Sequence, residues 1–220
     1  MGFIICISGP DGAGKSTVVN YLKESLIKNG VNIKTTWMRY THFFCLPLLL
    51  FCRVIGLTVY TEINKINYGQ WHFYKSPFIS SLFSWILLID LFFFTFFKIY
   101  VPMLFGKTVI VDRFILDIFV DTIIATKKSN FHKALPGRLF LKIAPRNCNT
   151  IVLYTDSGNL KKRRLDLKYD PLLDQKCLLY KKIAKDFGIE IIDTSVLGND
   201  LLKKILDKVY GEHSELKKIF

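Results

Sequence analysis

The 220-residue chain has few cysteines, and their placement excludes two common uses of this residue. Its five cysteines contain no Cys-x-x-Cys pair, so neither a zinc site nor a disulfide framework is indicated. Reduced thiols are typical of the cytoplasm, which is the location we predict. No basic segment precedes the first apolar run, which argues against a secretory signal. Internal repeats and low-complexity linkers are absent, which predicts a single domain over residues 1–220.

Acidic residues are also scarce. There are 18 Asp and Glu against 31 Lys and Arg, so the formal net charge is +13. Half of the residues are hydrophobic, and 19 Phe, 10 Tyr and 3 Trp exclude a disordered chain. The mean hydropathy of +0.28 is high for a soluble domain. The charge suggests a phosphate, nucleic-acid or anionic-membrane partner, and the hydropathy raises the question of membrane contact.

A glycine-rich segment follows the first apolar run. Residues Gly2–Ser8 form a short β-branched stretch that predicts a buried strand, and Gly9–Thr17 then reads GPDGAGKST. This matches the pattern G-x-x-x-x-G-K-[ST], and residues 18–29 are periodic enough for a helix. In such a loop the backbone N–H groups and Lys15 hold the phosphates of a nucleotide triphosphate, while Ser16 offers its hydroxyl to Mg²⁺.

A second strand ends in an acid and an arginine. Lys107–Asp112 reads KTVIVD and is followed at once by Arg113. An Asp at this place holds Mg²⁺ through water in many nucleotide-binding proteins. The forked guanidinium of Arg113 suits a second phosphate.

These segments resemble the thymidylate kinases and, more broadly, the nucleoside monophosphate kinases. The stretch Ser8–Thr17 is similar to that family's G-x-D-G-A-G-K-[ST]-T loop, and Asp112–Phe114 to its D-R-[YF] motif. Leu160–Arg164 (LKKRR) stands where the family has a basic lid, although a solvated helix face is the alternative for these residues. Tyr180 with Ile183-Ala184 resembles the helix that leads into the last strand.

The resemblance implies transfer of the γ-phosphate of ATP, with Mg²⁺, to a nucleoside monophosphate such as dTMP. Asp11 would contact the acceptor's sugar hydroxyl and Arg113 its phosphate. Because Gly12 follows Asp11, the charge-stabilising arginine would come from the lid, as Arg163 or Arg164. The loop residues expected at the nucleotide are Gly9, Asp11, Gly12, Ala13, Gly14, Lys15, Ser16 and Thr17.

The acceptor region departs from the family. Arg39 is a candidate phosphate contact in place of a longer loop, and Asp90 is a candidate acid for base recognition. Leu91 stands where the family has a base-reading arginine. The aromatic segment 68–75 (YGQWHFYK) is either a stacking platform for a base or a packing patch.

The predicted fold is a three-layer α/β P-loop fold with a five-stranded parallel sheet, helices on both faces and a short basic lid. Its core would comprise residues 1–40 and 82–210, its acceptor-binding segment 41–81 and its lid 158–176. The predicted strands are Phe3–Ser8, Asn32–Trp37, Thr108–Asp112, Thr150–Tyr154 and Glu190–Asp193.

Most of the excess hydrophobicity lies in residues 43–105. The longest run, Ser81–Phe105, contains Asp90 and Lys98, which are costly inside a bilayer, so we predict a central helix buried on all sides. Peripheral membrane contact through residues 43–105 and a homodimer both stay open. Because part of the charge is assigned to phosphate binding, we predict a small-molecule acceptor and no nucleic acid. A kinase of a lipid-linked acceptor and a non-catalytic nucleotide-binding docking protein are the alternatives.

Overall fold

The structure is a computed structural model that describes residues 2–39, 42–145 and 148–212. Strands β1 to β7 are Ile4–Ser8, Ile33–Trp37, Thr58–Ile63, Ile66–Trp71, Thr108–Asp112, Cys148–Tyr154 and Ile191–Asp193. Helices α1 to α9 are Lys15–Lys28, Cys45–Val54, Pro77–Thr95, Val101–Leu104, Ile115–Thr126, Leu135–Ile143, Ser157–Arg163, Leu173–Asp186 and Asn199–Glu212. A π-helical turn, Phe96–Tyr100, joins α3 to α4.

Five strands form one parallel sheet in the order β2-β5-β1-β6-β7. The prediction of these strands is confirmed, and each begins within two residues of its predicted start. Ile7 of β1 and Trp37 of β2 both lie opposite Asp112 of β5, so the carboxyl ends of three neighbouring strands meet at one edge.

Two apolar cores cover the sheet. Successive residues of β1 alternate between them, with Ile4 and Cys6 on one face and Ile5 and Ile7 on the other. Residues of α3, α5 and α6 pack on the first face, and residues of α1 and α9 on the second. Strands buried on both faces have continuous apolar sequences, which is why the sequence pattern located them.

A two-stranded hairpin, β3-β4, was not predicted from the sequence. Its turn residues Asn64 and Lys65 both have positive φ angles, +52° and +63°, which is the geometry of tight hairpin turns. Asn-Gly would signal such a turn clearly, whereas Asn-Lys does not. The hairpin occupies the middle of the predicted acceptor-binding segment 41–81.

The long helix of residues 77–104 is not buried on all sides, so that prediction was wrong. Its buried residues recur on one face, which includes Ile79, Phe83, Leu87 and Leu91, while Phe92 and Phe97 on the other face are more than half exposed. By length and composition Pro77–Leu104 could cross a membrane, and 39% of its most apolar stretch is buried in the protein. The described residues therefore cover only one side of this helix.

Asp90 caps the neighbouring helix α2. Its Oδ1 accepts hydrogen bonds from the backbone N–H groups of Phe43 and Phe44 at 3.1 and 2.8 Å, and its Oδ2 accepts one from Cys45 at 2.9 Å. The side chain is completely buried. The carboxylate thereby satisfies donors that a helix start leaves without partners. Because these backbone contacts use both of its oxygens, Asp90 has a structural role and is not presented to an acceptor.

Replacing Asp90 with Ala should lower the free energy of unfolding by about 3 kcal/mol, because three backbone N–H groups lose a completely buried carboxylate as their acceptor. Urea denaturation followed by circular dichroism measures this loss. The matched control is Asp207→Ala on the exposed side of α9, which should change stability by less than about 0.5 kcal/mol. Equal midpoints for the two variants would contradict the capping role.

Candidate active site

The candidate site lies where the carboxyl ends of β1, β2 and β5 meet. The N–H of Arg113 donates to the carbonyl of Ile7 at 2.9 Å, and the N–H of Met38 donates to that of Asp112 at 3.2 Å. These bonds continue the sheet just past its strands. They bring the segments after β1, β2 and β5 side by side.

The glycine-rich loop between β1 and α1 needs its glycines for two physical reasons. Gly9, Gly12 and Gly14 have φ angles of +142°, +83° and +88°, a region that other residues rarely adopt. A Cβ on Gly9 would lie 2.1 Å from the carbonyl oxygen of Leu153, so the loop could not approach β6. Helix α1 then begins after Gly14 with no side-chain cap, and the first N–H groups of a helix of this kind suit an anion.

Lys15 is buried beneath this loop and is 5% exposed. Its Nζ donates to the carbonyls of Gly9 and Pro10 at 2.7 and 2.6 Å. Burial lowers the pKa of Lys15 to about 8, and the nearby charge of Arg113 adds to that effect. A lysine this weakly solvated gains strongly from a negative partner.

Two arginines join the loop to its neighbours through carboxylates. Arg39 binds Asp121 in a bidentate pair at 2.7 and 2.8 Å, and its third nitrogen donates to Asp11 at 3.0 Å. Arg113 donates to the other oxygen of Asp11 and to Asp117 at 3.3 Å. Positive and negative groups therefore alternate across β2, the loop, β5 and α5.

The carboxylate of Asp11, which both arginines share, stays ionised. Burial alone would raise the pKa of Asp11, but the charges of Arg113, Lys15 and Arg39 outweigh it and hold that pKa well below its usual value. Asp117 is completely buried and also accepts a hydrogen bond from the hydroxyl of Tyr180 at 2.6 Å. Tyr180 thus fixes the carboxylate that orients Arg113.

Arg113 has a φ angle of +65°, which is uncommon outside glycine. Arg113 lies in the turn between β5 and α5, and in this conformation its guanidinium donates to Asp11. Strain of this kind persists only where surrounding contacts fix it, and it concentrates at functional sites.

Asp112 and Ser16 offer oxygen ligands on adjacent segments. The Oδ1 of Asp112 is buried and has no hydrogen-bond partner among the described residues. Burial raises the pKa of Asp112, against the opposing charges of Arg113 and Lys15. Ser16 is exposed in the first turn of α1. Hydroxyl and carboxylate oxygens are the ligands that Mg²⁺ prefers, so these two residues fit that ion.

The predicted lid, residues 158–176, lies over the glycine-rich loop. Arg163 donates to the carbonyls of Ser195 at 2.9 Å and Gly12 at 3.4 Å, and also to that of Thr194. Arg164 pairs with its near neighbour Asp166, at 2.6 and 3.0 Å, and its side chain is half exposed. Both arginines therefore lie at the loop, but Arg163 is held by backbone carbonyls of other segments, whereas Arg164 pairs with a residue of its own segment.

A cavity of about 260 Å³ opens between the β3-β4 hairpin and α5. Its walls combine aromatic, polar and charged side chains, namely Tyr60, Gln70, Trp71, Asp121 and Lys176, together with Gly69, Ile124, Ala125 and Leu172. Asp121 belongs both to this cavity and to the arginine network. The cavity thus adjoins the loop through Arg39.

No protein-family model matches the chain, and a search of curated proteins finds no match. Function must therefore be inferred from the residues of the site.

Most of the residues predicted from the sequence meet at this edge. Asp11, Arg39 and Arg113 share one network, with Lys15, Asp112, Ser16, Arg163 and Arg164 on the same segments or beside the loop. Asp90 is the exception, as described above. Leu91 is buried in the core and is not among the lining residues of the cavity.

Sequence reasoning missed the roles of Asp117 and Asp121. Both lie on α5, whose remaining residues are almost all apolar. Asp117 comes four residues after Arg113, and Asp121 comes four residues after Asp117. An acid in an apolar helix needs a buried partner, and this spacing puts both acids on one face. That pattern was the available signal.

The depressed pKa of Lys15 predicts a pH-dependent stability. The folded lysine loses its proton near pH 8, whereas the unfolded lysine keeps it to about 10.5. Between these values the unfolded state binds more protons, so the contribution of Lys15 to stability falls as the pH decreases from 10.5 to 8 and is constant below pH 8. Lys15→Met removes this cost. The difference in free energy of unfolding between Lys15→Met and the wild type should therefore be about 3 kcal/mol larger, in favour of the variant, at neutral pH than near pH 10.5.

Urea unfolding of both proteins across this pH range measures the difference. Lys23→Met, on the exposed side of α1, is the matched control and should show no such trend. A Lys15→Met difference that is independent of pH would contradict the burial effect.

Proposed function

We propose that this protein is a P-loop phosphotransferase that moves the γ-phosphate of ATP to a nucleoside monophosphate or a related phosphate-bearing acceptor. The proposal extends to the P-loop assignment of the fold and to a family relation with the thymidylate kinases. The observation that carries it is the meeting of the Gly9–Thr17 loop, Asp112-Arg113 and the two lid arginines at one edge of the sheet.

On the donor side, the N–H groups of the loop and the start of α1 would bind the phosphates of ATP. Lys15 would exchange the neutral carbonyls of Gly9 and Pro10 for the β- and γ-phosphates, so that its ammonium group gains a partner of full opposite charge. Ser16 and Asp112 would hold Mg²⁺, which neutralises phosphate charge when bound.

The balance of charge in the site supports a metal-bound nucleotide. Four carboxylates, those of Asp11, Asp112, Asp117 and Asp121, stand against the three buried cations of Lys15, Arg39 and Arg113. A polyanionic substrate alone would add repulsion to this group. A divalent cation offsets it, and the Oδ1 of Asp112, which accepts no hydrogen bond from the described residues, is an available ligand.

On the acceptor side, the phosphate would lie between the cavity and the loop, where Arg39 and Arg113 converge on Asp11. Both guanidiniums are held in place by a second carboxylate, so they need little reorganisation to bind an anion. The aromatic wall of Tyr60 and Trp71 suits the planar base of a nucleotide.

Phosphoryl transfer depends mainly on positioning and charge neutralisation. The acceptor arginines and the loop fix the two phosphates, and a lid cation neutralises charge that develops between them. Arg164 is the better candidate for this cation, because Arg163 is held by three backbone carbonyls. The Arg164 side chain already reaches Gly12, since a Cβ built there would lie 3.7 Å from its Cδ.

One observation favours a second candidate function, a kinase of a lipid-linked acceptor. His42 packs against the cavity residue Trp71 with ring centroids 5.5 Å apart, and the next residue, Phe43, is 68% exposed. The acceptor cavity therefore adjoins an exposed apolar surface. A non-catalytic nucleotide-binding protein gains no comparable support.

The test is transfer from γ-labelled ATP, with Mg²⁺, to the common nucleoside monophosphates and to a membrane lipid extract. We expect label on a nucleoside monophosphate, and Lys15→Met should reduce the rate by about 100-fold or more. Label on lipid alone would support the lipid-linked acceptor instead. ATP binding without any transfer would contradict an enzymatic function.

Substitutions of the two lid arginines should have different effects on kcat and KM. Arg164→Ala should lower kcat by about 10³-fold with little change in the KM for ATP, because its charge acts only in the transition state. Arg163→Ala should instead raise the KM and reduce stability, since it removes bonds between the lid and two loops. Steady-state kinetics and thermal melts of both variants measure these effects. The reverse pattern would assign the role to Arg163.

A further inference from the structure

Six exposed phenylalanines form a connected surface, which we name the aromatic face: Phe43, Phe44, Phe92, Phe93, Phe96 and Phe97. Ring centroids are 5.1 Å apart for Phe43 and Phe44, 5.3 Å for Phe44 and Phe93, and 5.9 Å for Phe92 and Phe93. A groove of about 370 Å³ then connects Phe92 with Phe96, which contacts Phe97. The face thus runs from the start of α2 along α3 into the π-helical turn.

The aromatic face is large for a protein surface. Each of its rings is between 42% and 68% exposed, which leaves on the order of 600 Å² of phenylalanine surface in water. This is at the upper end of the apolar patches that monomers expose, and patches of that size are commonly binding surfaces.

Basic residues border the aromatic face. Lys142 of α6 lines the groove beside Phe92 and Phe96. Lys98 lies over the ring of Phe94 at 4.9 Å and donates to the carbonyl of Trp37, which is itself half exposed. Long basic side chains beside exposed aromatic rings are typical of surfaces that bind at a membrane interface.

The same region carries almost no exposed negative charge. Among the described residues between 42 and 107 there are two acids, and Asp90 is completely buried, which leaves Glu62. The five basic residues of this region are Arg53, Lys65, Lys75, Lys98 and Lys107. The charge of the region is therefore complementary to an anionic surface.

We propose that the aromatic face docks the protein on an anionic membrane as a peripheral, interfacial surface. The helix of residues 77–104 lies along the protein, because Phe83, Leu87 and Leu91 pack in the core while Phe92 and Phe97 face outwards. Four residues after Leu104 the chain re-enters the sheet as β5, beside β1. A spanning helix would pull these core contacts apart. The inference does not rest on the proposed function.

The test measures binding of the full chain to phosphatidylcholine vesicles with and without phosphatidylglycerol, by flotation. We expect binding to be about tenfold stronger with the anionic lipid and to weaken as salt is added. Phe92→Ser with Phe97→Ser should lower binding by about tenfold or more, since each ring loses its apolar burial. Lys142→Glu should lower binding to the anionic vesicles alone.

Matched controls change equally exposed residues elsewhere: Leu178→Ser on α8, 69% exposed, and Lys203→Glu on α9. Both should bind vesicles as the wild type does, and circular dichroism checks that every variant is folded. Failure of the wild type to bind anionic vesicles would overturn the proposal, as would equal binding to neutral ones. Concentration-dependent dimers that the phenylalanine variant abolishes, without vesicle binding, would assign the face to a second copy of the chain.

Discussion

Arg39 and Arg113 are each held between two carboxylates, and this chain of alternating charges joins the segments that follow β1, β2 and β5. Burying a charge is costly unless partners of opposite sign surround it, so each member of the chain offsets part of the cost of burying the next. Asp11 in the glycine-rich loop is the shared partner of both arginines. The geometry of the candidate site depends on that single carboxylate more than on any other contact.

This network also explains how the site could be rigid and still bind the anion that we propose. Tyr180 and Asp117 fix Arg113 from the core, and Asp121 fixes Arg39 from α5. Each guanidinium keeps its orientation whatever partner Asp11 takes, which lowers the reorganisation that binding requires. Arg164 pairs instead with Asp166 of its own segment, so this pair stays within the lid, which suits the closure over a substrate that we propose.

The apolar excess of the chain has two separate physical roles. Residues such as Ile79, Phe83 and Leu87 complete one core of the sheet, while Phe92, Phe93, Phe96 and Phe97 stay in contact with solvent. Composition counts both groups alike, because hydropathy does not record which side of a helix a residue occupies. Their separation follows from the three-dimensional packing of α3 on α5 and α6.

The sequence by itself determined the five parallel strands and the residues at their carboxyl ends, because buried parallel strands and glycine-rich turns have strong local patterns. It could not determine the β3-β4 hairpin, whose turn carries Asn64-Lys65 rather than a glycine. Nor could it assign Asp90 to the capping of α2, or Asp121 to Arg39. Each of these roles joins residues that are distant in the chain or separated by a turn. Which charges meet was therefore decided only when the tertiary structure brought those segments together.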